Sequence, residues 1–474
     1  MMVGREKERD MLERALRSEN SEFVAVYGRR RIGKTYLIRE TFHSRFTFQH
    51  SGIANANTQI QQERFRQSLI EAGHVKCPVL RTWFQAFDEL KELLKASPAN
   101  KKILFIDEMP WMDKPNANFL PALENFWNAW ASDRKDVLLI ICGSATSWML
   151  KNMIHARGGL HNRVTMRIHL NPFTLAECEK MAVNLGLEVS RYQLLQYYMA
   201  LGGVPFYWTF LQRGLSVAQN MDALFFSSNA NLEGEFQDLY SSLFSKEAPY
   251  IQIVSALGKK RMGMNREEIA AETGIATSGT LTKYLEELQQ CGFLRKYHLP
   301  GKNIRDAIYQ LIDNYTLFYF RFIRDNTAQD PHFWTSSVDT SRFRTWQGLA
   351  FELVCLQHVD NIRNALQISG MQSAVYAWQA SATSKTGGAQ IDLVIDRKDG
   401  VINLCEMKYA ADKYAITAKD NTALMQKKEA FLQQMPRRKA CHITMVTTFG
   451  LVHNAYWNNV QSEITLNDLF KELR

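Results

Sequence analysis

Eight consecutive residues near the start of the chain have the types and spacing needed to hold a phosphate group. Their sequence is Gly-Arg-Arg-Arg-Ile-Gly-Lys-Thr, and glycines at both ends of the turn would point consecutive N–H groups at phosphate oxygens. Lys34 would then reach the β- and γ-phosphates, and the hydroxyl of Thr35 would ligate Mg²⁺. The pattern predicts a nucleoside triphosphate site formed by Gly28, Arg29, Arg30, Arg31, Ile32, Gly33, Lys34 and Thr35.

Two acidic residues, Asp107 and Glu108, are candidates for the rest of this site. They follow an apolar run at positions 103–106, which is typical of a buried parallel strand. A carboxylate at the end of such a strand lies at the ligand-binding edge of an open α/β sheet. We expect Asp107 to hold Mg²⁺ and Glu108 to orient and deprotonate the attacking water. The alternative is that this acidic pair only caps a helix.

A serine and an arginine are further candidates for contact with the γ-phosphate. Ser144 ends a second apolar run, at positions 137–143, so it could sense the γ-phosphate, cap the following helix, or do both. Arg163 is our first candidate for an arginine contact with the γ-phosphate, ahead of Arg157 and Arg167. That contact would lie within one chain or join two copies in a homo-oligomer.

A second group of candidate catalytic and metal-binding residues lies near the end of the chain. Glu406 and Lys408 are two residues apart in a predicted strand, so they share a face, and Asp392 lies one hairpin away. Asp392 and Glu406 offer hard oxygen ligands for Mg²⁺, which would polarise a phosphodiester and acidify a bound water. Lys408 would position the nucleophile or stabilise the developing charge. The alternative is an ordinary cross-strand pair of charges.

The order of these elements resembles the AAA+/STAND class of P-loop ATPases. The residues that carry the resemblance are Val3-Gly4-Arg5-Glu6, the Gly28–Thr35 loop, Asp107-Glu108, Gly143-Ser144, and Gly202-Gly203-Val204-Pro205 in a helical lid. More narrowly, the chain resembles archaeal and bacterial predicted ATPases that end in a restriction-endonuclease-like domain. The resemblance implies ATP binding with slow, switch-like hydrolysis, and an approach of Pro205 to the nucleotide.

The C-terminal residues resemble the metal-dependent PD-(D/E)xK nuclease superfamily. In that resemblance Asp392, Glu406 and Lys408 form the cleavage site, and Glu352 matches the helix glutamate that tunes the metal. Glu352 lies in a predicted helix that runs from Trp346 to about position 362. Whether the domain cleaves DNA or only binds it stays open at this point.

A winged helix-turn-helix is predicted between the two sites. Positions 265–288 have the pattern of two helices across a glycine turn, and strands at 291–297 and 307–311 follow. The second helix offers hydroxyls and Lys283 to DNA, but it also carries Glu286 and Glu287, which phosphates would repel. Direct DNA contact and an internal relay therefore remain alternatives. Further basic residues that suit backbone phosphates are Lys427, Lys428, Arg437, Arg438 and Lys439.

Composition limits the classes of protein that fit. The chain has 474 residues, 46% of them hydrophobic, and a net charge of +9, which suits nucleic acid as a partner without requiring it. Its seven cysteines are scattered singly, without Cys–Cys pairs at metal-ligand spacing, which favours a reducing cytoplasm over a disulfide-bonded protein. Neither a signal peptide nor an apolar run long enough to cross a membrane is expected.

These observations lead to one expectation and two alternatives. We predict an α/β protein with a parallel-sheet P-loop (ASCE) ATPase domain and helical lid (1–240), a winged helix-turn-helix (241–335) and a restriction-endonuclease-like α/β domain (336–474). ATP and Mg²⁺ are the expected cofactors and DNA is the expected partner. The alternatives are a DNA-binding regulatory ATPase that does not cleave, and a signalling switch with a protein partner.

Overall fold

The chain forms two compact units. The computed structural model describes residues 2–144, 146–154, 159–244, 246–298, 306–324, 326, 330–338, 340–380, 388–434 and 439–473. The first unit comprises Met1–Asn171 with Leu239–Ser245, and the second comprises Pro172–Asp238 with Lys246–Arg474. The first division falls at position 171, so the predicted bounds of three domains stay a prediction.

The first unit alternates helices and strands. Its elements are α1 (Glu6–Arg17), β1 (Glu22–Tyr27), α2 (Lys34–Phe42), β2 (Phe48–Ser51), α3 (Thr58–Glu71), α4 (Trp83–Ala96), β3 (Lys102–Asp107), α5 (Phe119–Phe126), β4 (Val137–Gly143), α6 (Thr146–Met149) and β5 (Met166–His169). A 3₁₀ turn covers Met109–Trp111, and π-helical turns cover Trp127–Ala131 and Leu150–Ile154.

A parallel sheet with the order β2-β3-β4-β1-β5 is the centre of this unit. Alternate residues of β1 enter two cores on opposite faces of the sheet, as the two-residue period of a strand requires. Phe23 packs with residues of α3, α4 and α5, whereas Val24 packs with residues of α1 and α2. The predicted parallel-sheet α/β domain of the P-loop type is thereby confirmed at the level of fold.

The second unit is larger and begins with helices. Its elements are α7 (Leu175–Leu185), α8 (Arg191–Leu201), α9 (Pro205–Trp208), α10 (Val217–Phe225), α11 (Glu235–Leu243, which ends in the first unit), α12 (Ala248–Leu257), α13 (Arg266–Thr273), α14 (Gly279–Gln290), β6 (Leu294–Tyr297), β7 (Ile308–Leu311), α15 (Asn314–Phe318), α16 (Phe333–Ser337), α17 (Ser341–Gln357), α18 (Val359–Ala365), β8 (Ser373–Ala380), β9 (Ala389–Arg397), β10 (Val401–Lys408), α19 (Ala418–Gln434), β11 (Ala440–Thr447), β12 (Ser462–Thr465) and α20 (Leu466–Leu469). A π-helical turn at Tyr319–Ile323 and a 3₁₀ turn at Trp457–Asn459 complete it.

A mixed sheet carries the acidic residues of this unit. Its order is β12-β11-β10-β9-β8, with β8, β9 and β10 antiparallel and β10, β11 and β12 parallel. Helix α19 covers one face, where Phe431 packs against Trp378. Upstream of this sheet, α12, α13 and α14 precede the antiparallel pair β6 and β7.

The predicted single helix from Trp346 to about position 362 is wrong. The structure has α17 and α18 instead, and the break falls at His358. The imidazole of His358 is buried, lies 2.8 Å from the Val354 carbonyl oxygen through Nδ1, and accepts the N–H of Leu175 through Nε2 at 3.1 Å. These contacts tie the helix end to the start of α7, which periodicity along one helix cannot reveal.

Candidate functional site

The predicted phosphate-binding loop connects β1 to α2. Gly28 has φ 145°, and a Cβ atom there would lie 2.4 Å from the carbonyl oxygen of Leu170, so only glycine fits. Gly33 has φ 88° and directly precedes α2, whose N-terminal end is favourable for anions. Arg5 is buried and donates to the carbonyl oxygen of Asn171 at 2.6 Å and to that of Ile32 at 3.4 Å. The start of the chain therefore braces the loop.

The ammonium group of Lys34 lies inside this loop, with the residue only 5% exposed. It donates to the carbonyl oxygens of Gly28 and Arg29 at 2.9 and 2.8 Å, and to the hydroxyl of Ser144 at 3.1 Å. These partners are all uncharged. A lysine held in this way can exchange weak acceptors for phosphate oxygens, because charge-assisted hydrogen bonds are stronger.

The end of β3 brings the acidic pair next to the start of α2. The hydroxyl of Thr35 donates to Asp107 Oδ2 at 2.7 Å, and the N–H of Glu108 donates to Asp107 Oδ1 at 2.9 Å. A hydroxyl and a carboxylate in contact are the hard oxygen pair that Mg²⁺ prefers, so the residues fit this ion. Burial raises the pKa of the neighbouring Cys142 thiol, and the charge of Asp107 adds to the effect.

Ser144 joins the lysine to the glutamate. Its N–H and hydroxyl donate to the two carboxylate oxygens of Glu108, at 3.2 and 2.6 Å. Its hydroxyl also accepts from Lys34. Glu108 itself adopts φ 45°, a left-handed conformation that is uncommon for a non-glycine residue and concentrates at functional positions. The result is a chain of contacts from Lys34 through Ser144 to Glu108.

The arginine and proline candidates are placed differently. Arg163 and Arg167 are exposed, and the guanidinium of Arg163 makes no hydrogen bond or ion pair with any residue that the structure describes. Arg157 lies outside the described residues. Pro205 begins α9 in the second unit, after a turn in which a Cβ on Gly203 would lie 1.8 Å from the carbonyl oxygen of Phe173. The contact predicted between Pro205 and a nucleotide stays a prediction.

The acidic residues of the second unit come together from three elements. Glu352 lies on α17, Asp392 on β9, and Glu406 with Lys408 on β10. Cys405 pairs with Leu393 in the antiparallel register, so Glu406 and Asp392 are the next neighbours across the two strands. The side chains of the three acids are 14–16% exposed. Glu352 and Asp392 help to line a cavity of about 290 Å³.

Arg261 occupies this acidic group, and we did not expect it there. It follows α12, and its guanidinium forms an ion pair with Glu352 and lies 2.5 Å from Asp392 Oδ2. The basic run Lys259-Lys260-Arg261 was the available sequence signal, but nothing in it points to Glu352. Arg261 stands where a cation is favoured, and the carboxylate oxygens that it contacts are donors of the kind that divalent metal ions accept.

Two lysines neutralise the remaining acid. Lys408 Nζ lies 3.0 Å from Glu406 Oε1, and Lys427 Nζ of α19 lies 2.7 Å from Oε2. We had assigned Lys427 only to a basic face, and the structure adds this contact with the acidic site. Lys439 pairs with Asp396 instead, while Arg437 and Arg438 lie outside the described residues.

The pKa values of the acids differ because their partners differ. Burial, followed by the charges of Asp392 and Glu406, raises the pKa of Glu352 from its ordinary 4.5 to about 8, although Arg261 and Lys408 oppose the shift. Burial also disfavours ionised Glu406, but Lys427 and Lys408 outweigh that effect and lower its pKa. Near neutral pH Glu352 therefore tends to hold a proton, whereas Glu406 is ionised.

Comparisons with known proteins agree with the first unit. Residues 2–208 match a family model described as an ATPase domain predominantly from Archaea. An uncharacterized protein of Methanocaldococcus jannaschii is 24% identical over 407 residues, covering 83% of this chain and 84% of its own length. The family match supports an ATPase domain here, and with it the binding and hydrolysis of ATP.

Two similar solved structures have lower sequence identity to this chain than the Methanocaldococcus jannaschii protein has. A Walker-type ATPase of Pyrococcus abyssi is 16% identical, with a TM-score of 0.48 over 68% of this chain and 96% of its own. The ORC2 protein of Aeropyrum pernix, solved as ADPNP and ADP complexes, is 14% identical, with a TM-score of 0.40 over 67% of this chain and 93% of its own. No function is transferred from these two.

Among the residues that the structure describes, no helix combines the length and the apolar character needed to cross a bilayer.

Proposed function

We propose that the chain is an ATP-dependent switch whose second unit binds DNA and cleaves it with the help of Mg²⁺. The observation that carries the second half of this proposal is the convergence of Glu352 and Asp392 on Arg261, a cation of the chain itself, beside the pair formed by Glu406 and Lys408. The ATPase half rests on the family match and on the contacts of Lys34 and Glu108.

At the loop, each side chain has one role in this proposal. Lys34 exchanges its carbonyl partners for oxygens of the β- and γ-phosphates, and Thr35 and Asp107 hold Mg²⁺. Glu108 takes a proton from the attacking water, after its carboxylate leaves Ser144. Ser144 is then free to contact the γ-phosphate, so its hydroxyl reports whether a triphosphate is present. Bound Mg²⁺ supplies charge neutralisation between the phosphates.

In the second unit the proposed roles follow the charges. Asp392 and Glu406 would hold a divalent ion, which would supply polarisation of the scissile phosphate and a more acidic water. Lys408 orients the nucleophile or stabilises charge at the phosphate, and Glu352 adjusts the metal site. Because Arg261 pairs with two of these acids, a metal ion and DNA must displace it before cleavage.

We further propose that α12–α14 with β6 and β7 form a winged helix-turn-helix that acts as a relay. Thr277, Ser278, Thr280 and Lys283 are exposed on or before α14, whereas Glu287 turns inward to accept the hydroxyl of Tyr250. Arg261 belongs to this segment and contacts the acidic site, which favours a relay over an independent DNA-binding module.

A cleavage assay tests the proposal. The full chain is incubated with double-stranded DNA and Mg²⁺ or Mn²⁺, with and without ATP, and compared with Asp392→Ala and Lys408→Ala. We expect ATP-dependent cleavage by the unchanged chain and none by either variant. Asp396→Ala is the matched control, because Asp396 lies on the same strand as Asp392 but pairs with Lys439. Equal cleavage by all four proteins would exclude the assigned site.

Absence of cleavage has its own meaning. If none of the proteins cleaves but the unchanged chain binds DNA in a salt-dependent way, the second unit is a binding module. If DNA does not bind even at low salt, the partner is a protein and the nucleic-acid half of the proposal is wrong.

A further inference from the structure

A turn in the first unit brings a histidine, a cysteine and a glutamate together, away from the sites described above. His74 and Cys77 lie between α3 and α4, and Glu89 lies on α4. The N–H of Cys77 donates to the carbonyl oxygen of His74 at 3.0 Å, which closes the turn. One ring nitrogen, the cysteine sulfur and one carboxylate oxygen all lie within 4.8 Å of one another. In the described part of the chain these are the side chains whose donor atoms converge in this way.

The turn is held in shape by a residue that is not one of the three. Arg66 of α3 donates through Nε to the carbonyl oxygens of Cys77 and Pro78, at 3.2 and 3.0 Å. The acid nearest to Arg66 in sequence, Glu63, is engaged by Arg66 and by Gln67. Glu63 is therefore occupied, while the backbone of the turn is fixed before any ligand arrives. Such pre-organisation favours binding, because less freedom is lost.

Burial and charge at the turn fit a cation. Cys77 is 3% exposed, whereas the side chains of His74 and Glu89 are both 22% exposed, so the group opens to solvent on one side. Burial raises the pKa of the Cys77 thiol, and the charge of Glu89 raises it further. In the absence of metal, His74 Nε2 and Glu89 Oε2 lie 2.6 Å apart. A divalent ion would take the place of that contact and compensate the charge of a thiolate.

We propose that His74, Cys77 and Glu89 bind one zinc ion, with water as the fourth ligand. Imidazole nitrogen, thiolate sulfur and carboxylate oxygen are the donors that Zn²⁺ accepts in proteins, and a hard ion such as Mg²⁺ would reject the sulfur. Histidine and cysteine three positions apart on one turn, with a third ligand from a neighbouring helix, are compatible with tetrahedral geometry. The ion would fasten the turn to α4.

This site contains a single cysteine, so the spacing between cysteines in the sequence does not reveal it. The remaining two ligands are a histidine three positions before Cys77 and a glutamate twelve positions after it. The glutamate becomes a neighbour only because α4 packs back along α3. The site uses none of the residues assigned to ATP or DNA, so its test is independent of the proposed function.

Cobalt is the probe for the test, because Co²⁺ bound to a thiolate gives an intense charge-transfer absorption in the near ultraviolet. The full chain, freed of metal by a chelator, is titrated with Co²⁺ and then with Zn²⁺. We expect one equivalent of Co²⁺ to produce the sulfur band and Zn²⁺ to remove it. Cys77→Ala should lose the band, and Cys441→Ala, which removes the partly exposed cysteine, should keep it.

A second variant protects the test against misfolding at the buried Cys77. Glu89→Gln changes a partly exposed side chain and keeps its shape, and we expect it to weaken Co²⁺ binding by about tenfold or more because a charged ligand is lost. Co²⁺ that binds elsewhere, for example at Glu406, would give no sulfur band. Absence of the band in the unchanged chain, or an equal band in Cys77→Ala, would overturn the proposal.

Discussion

Two sites in this chain bring carboxylates together beside a lysine, yet they satisfy the charges in opposite ways. In the first unit Lys34 donates to carbonyl oxygens and to Ser144, and Asp107 accepts from Thr35, so the charged groups have uncharged partners. In the second unit the acids face cations: Arg261 beside Glu352, and Lys427 beside Glu406.

This difference predicts how each site responds to a ligand. A ligand at the first site replaces weak, neutral contacts with charge-assisted ones, which is favourable at once. A metal at the second site must first displace an ion pair that is already formed. The first site is thus prepared to bind, whereas the second is held neutral by the chain itself. Each of the following predictions tests one side of this contrast.

The largest effect is expected from Lys34→Ala. Loss of the ammonium removes two or more charged hydrogen bonds to phosphate, each contributing about 1.5–3 kcal/mol, so ATP affinity should fall by roughly 100-fold or more. Binding of a fluorescent ATP analogue measures this. Lys7→Ala, an exposed lysine of α1, is the control. Unchanged affinity in Lys34→Ala would mean that the loop does not hold the phosphates.

The next effect separates binding from chemistry. Glu108→Gln keeps the contacts to Ser144 in shape but removes the base, so ATP hydrolysis should fall by about 10²- to 10⁴-fold while ATP still binds. Phosphate release at saturating ATP gives the rate, and the binding assay above gives the affinity. Glu124→Gln, a partly buried glutamate outside the acidic pair, is the control. Retained turnover in Glu108→Gln would remove the residue from its proposed role.

Sequence reasoning reached much of the first site because its parts are local. Gly28, Gly33, Lys34 and Thr35 fall within eight residues, and Asp107 is identified by the apolar run before it. The carboxyl ends of parallel strands lie at the same edge of the sheet, so the contact between Thr35 and Asp107 follows from topology. The bond between Ser144 and Glu108 needs the order of β3 and β4 in the sheet, which periodicity does not contain.

The second site was predictable only in part, and for a different reason. Asp392, Glu406 and Lys408 lie on one hairpin, where the two-residue period fixes their faces. Arg261 reaches them from about 130 positions away in sequence, and no local pattern records that contact. The break after helix α17 at His358 is a second example, because His358 accepts the N–H of Leu175, which is distant in sequence. Long-range polar contacts are what the sequence leaves undetermined.

Removing the internal cation should open the second site. In Arg261→Ala the pair with Glu352 and Asp392 is lost, so we expect Mn²⁺ to bind about tenfold more tightly, since one charged contact of about 1.4 kcal/mol no longer competes. Calorimetry without nucleotide at several pH values above 8 measures this, because loss of Arg261 raises the pKa of Glu352 further and its proton competes with the metal. The control is Lys283→Ala, which removes an exposed positive charge outside the acidic group. Equal or weaker Mn²⁺ binding would show that Arg261 does not compete with metal.

The smallest effect concerns pH, and its sign follows from Glu352. The pKa of this carboxyl is raised to about 8 by burial and by Asp392, so near neutral pH it holds a proton that a metal must displace. Mn²⁺ affinity should therefore rise with pH and level off above about pH 8. Between about pH 8 and pH 7 the affinity should fall by about fivefold. The same raised pKa stabilises the fold below the ordinary value of 4.5, and that contribution is lost as the pH rises through about 8.

Glu352→Gln distinguishes this origin from any other titration. The variant cannot ionise at this position, so the rise of Mn²⁺ affinity up to pH 8 and the loss of thermal stability between about pH 4.5 and 8 should both flatten. Glu406, with its lowered pKa, stays charged in both proteins. The first site offers the internal comparison, because ATP binding should not follow the titration of Glu352. If the pH dependence of Mn²⁺ affinity were unchanged in Glu352→Gln, another acid would be the group that titrates. The contrast between the two sites would then rest on Arg261 alone.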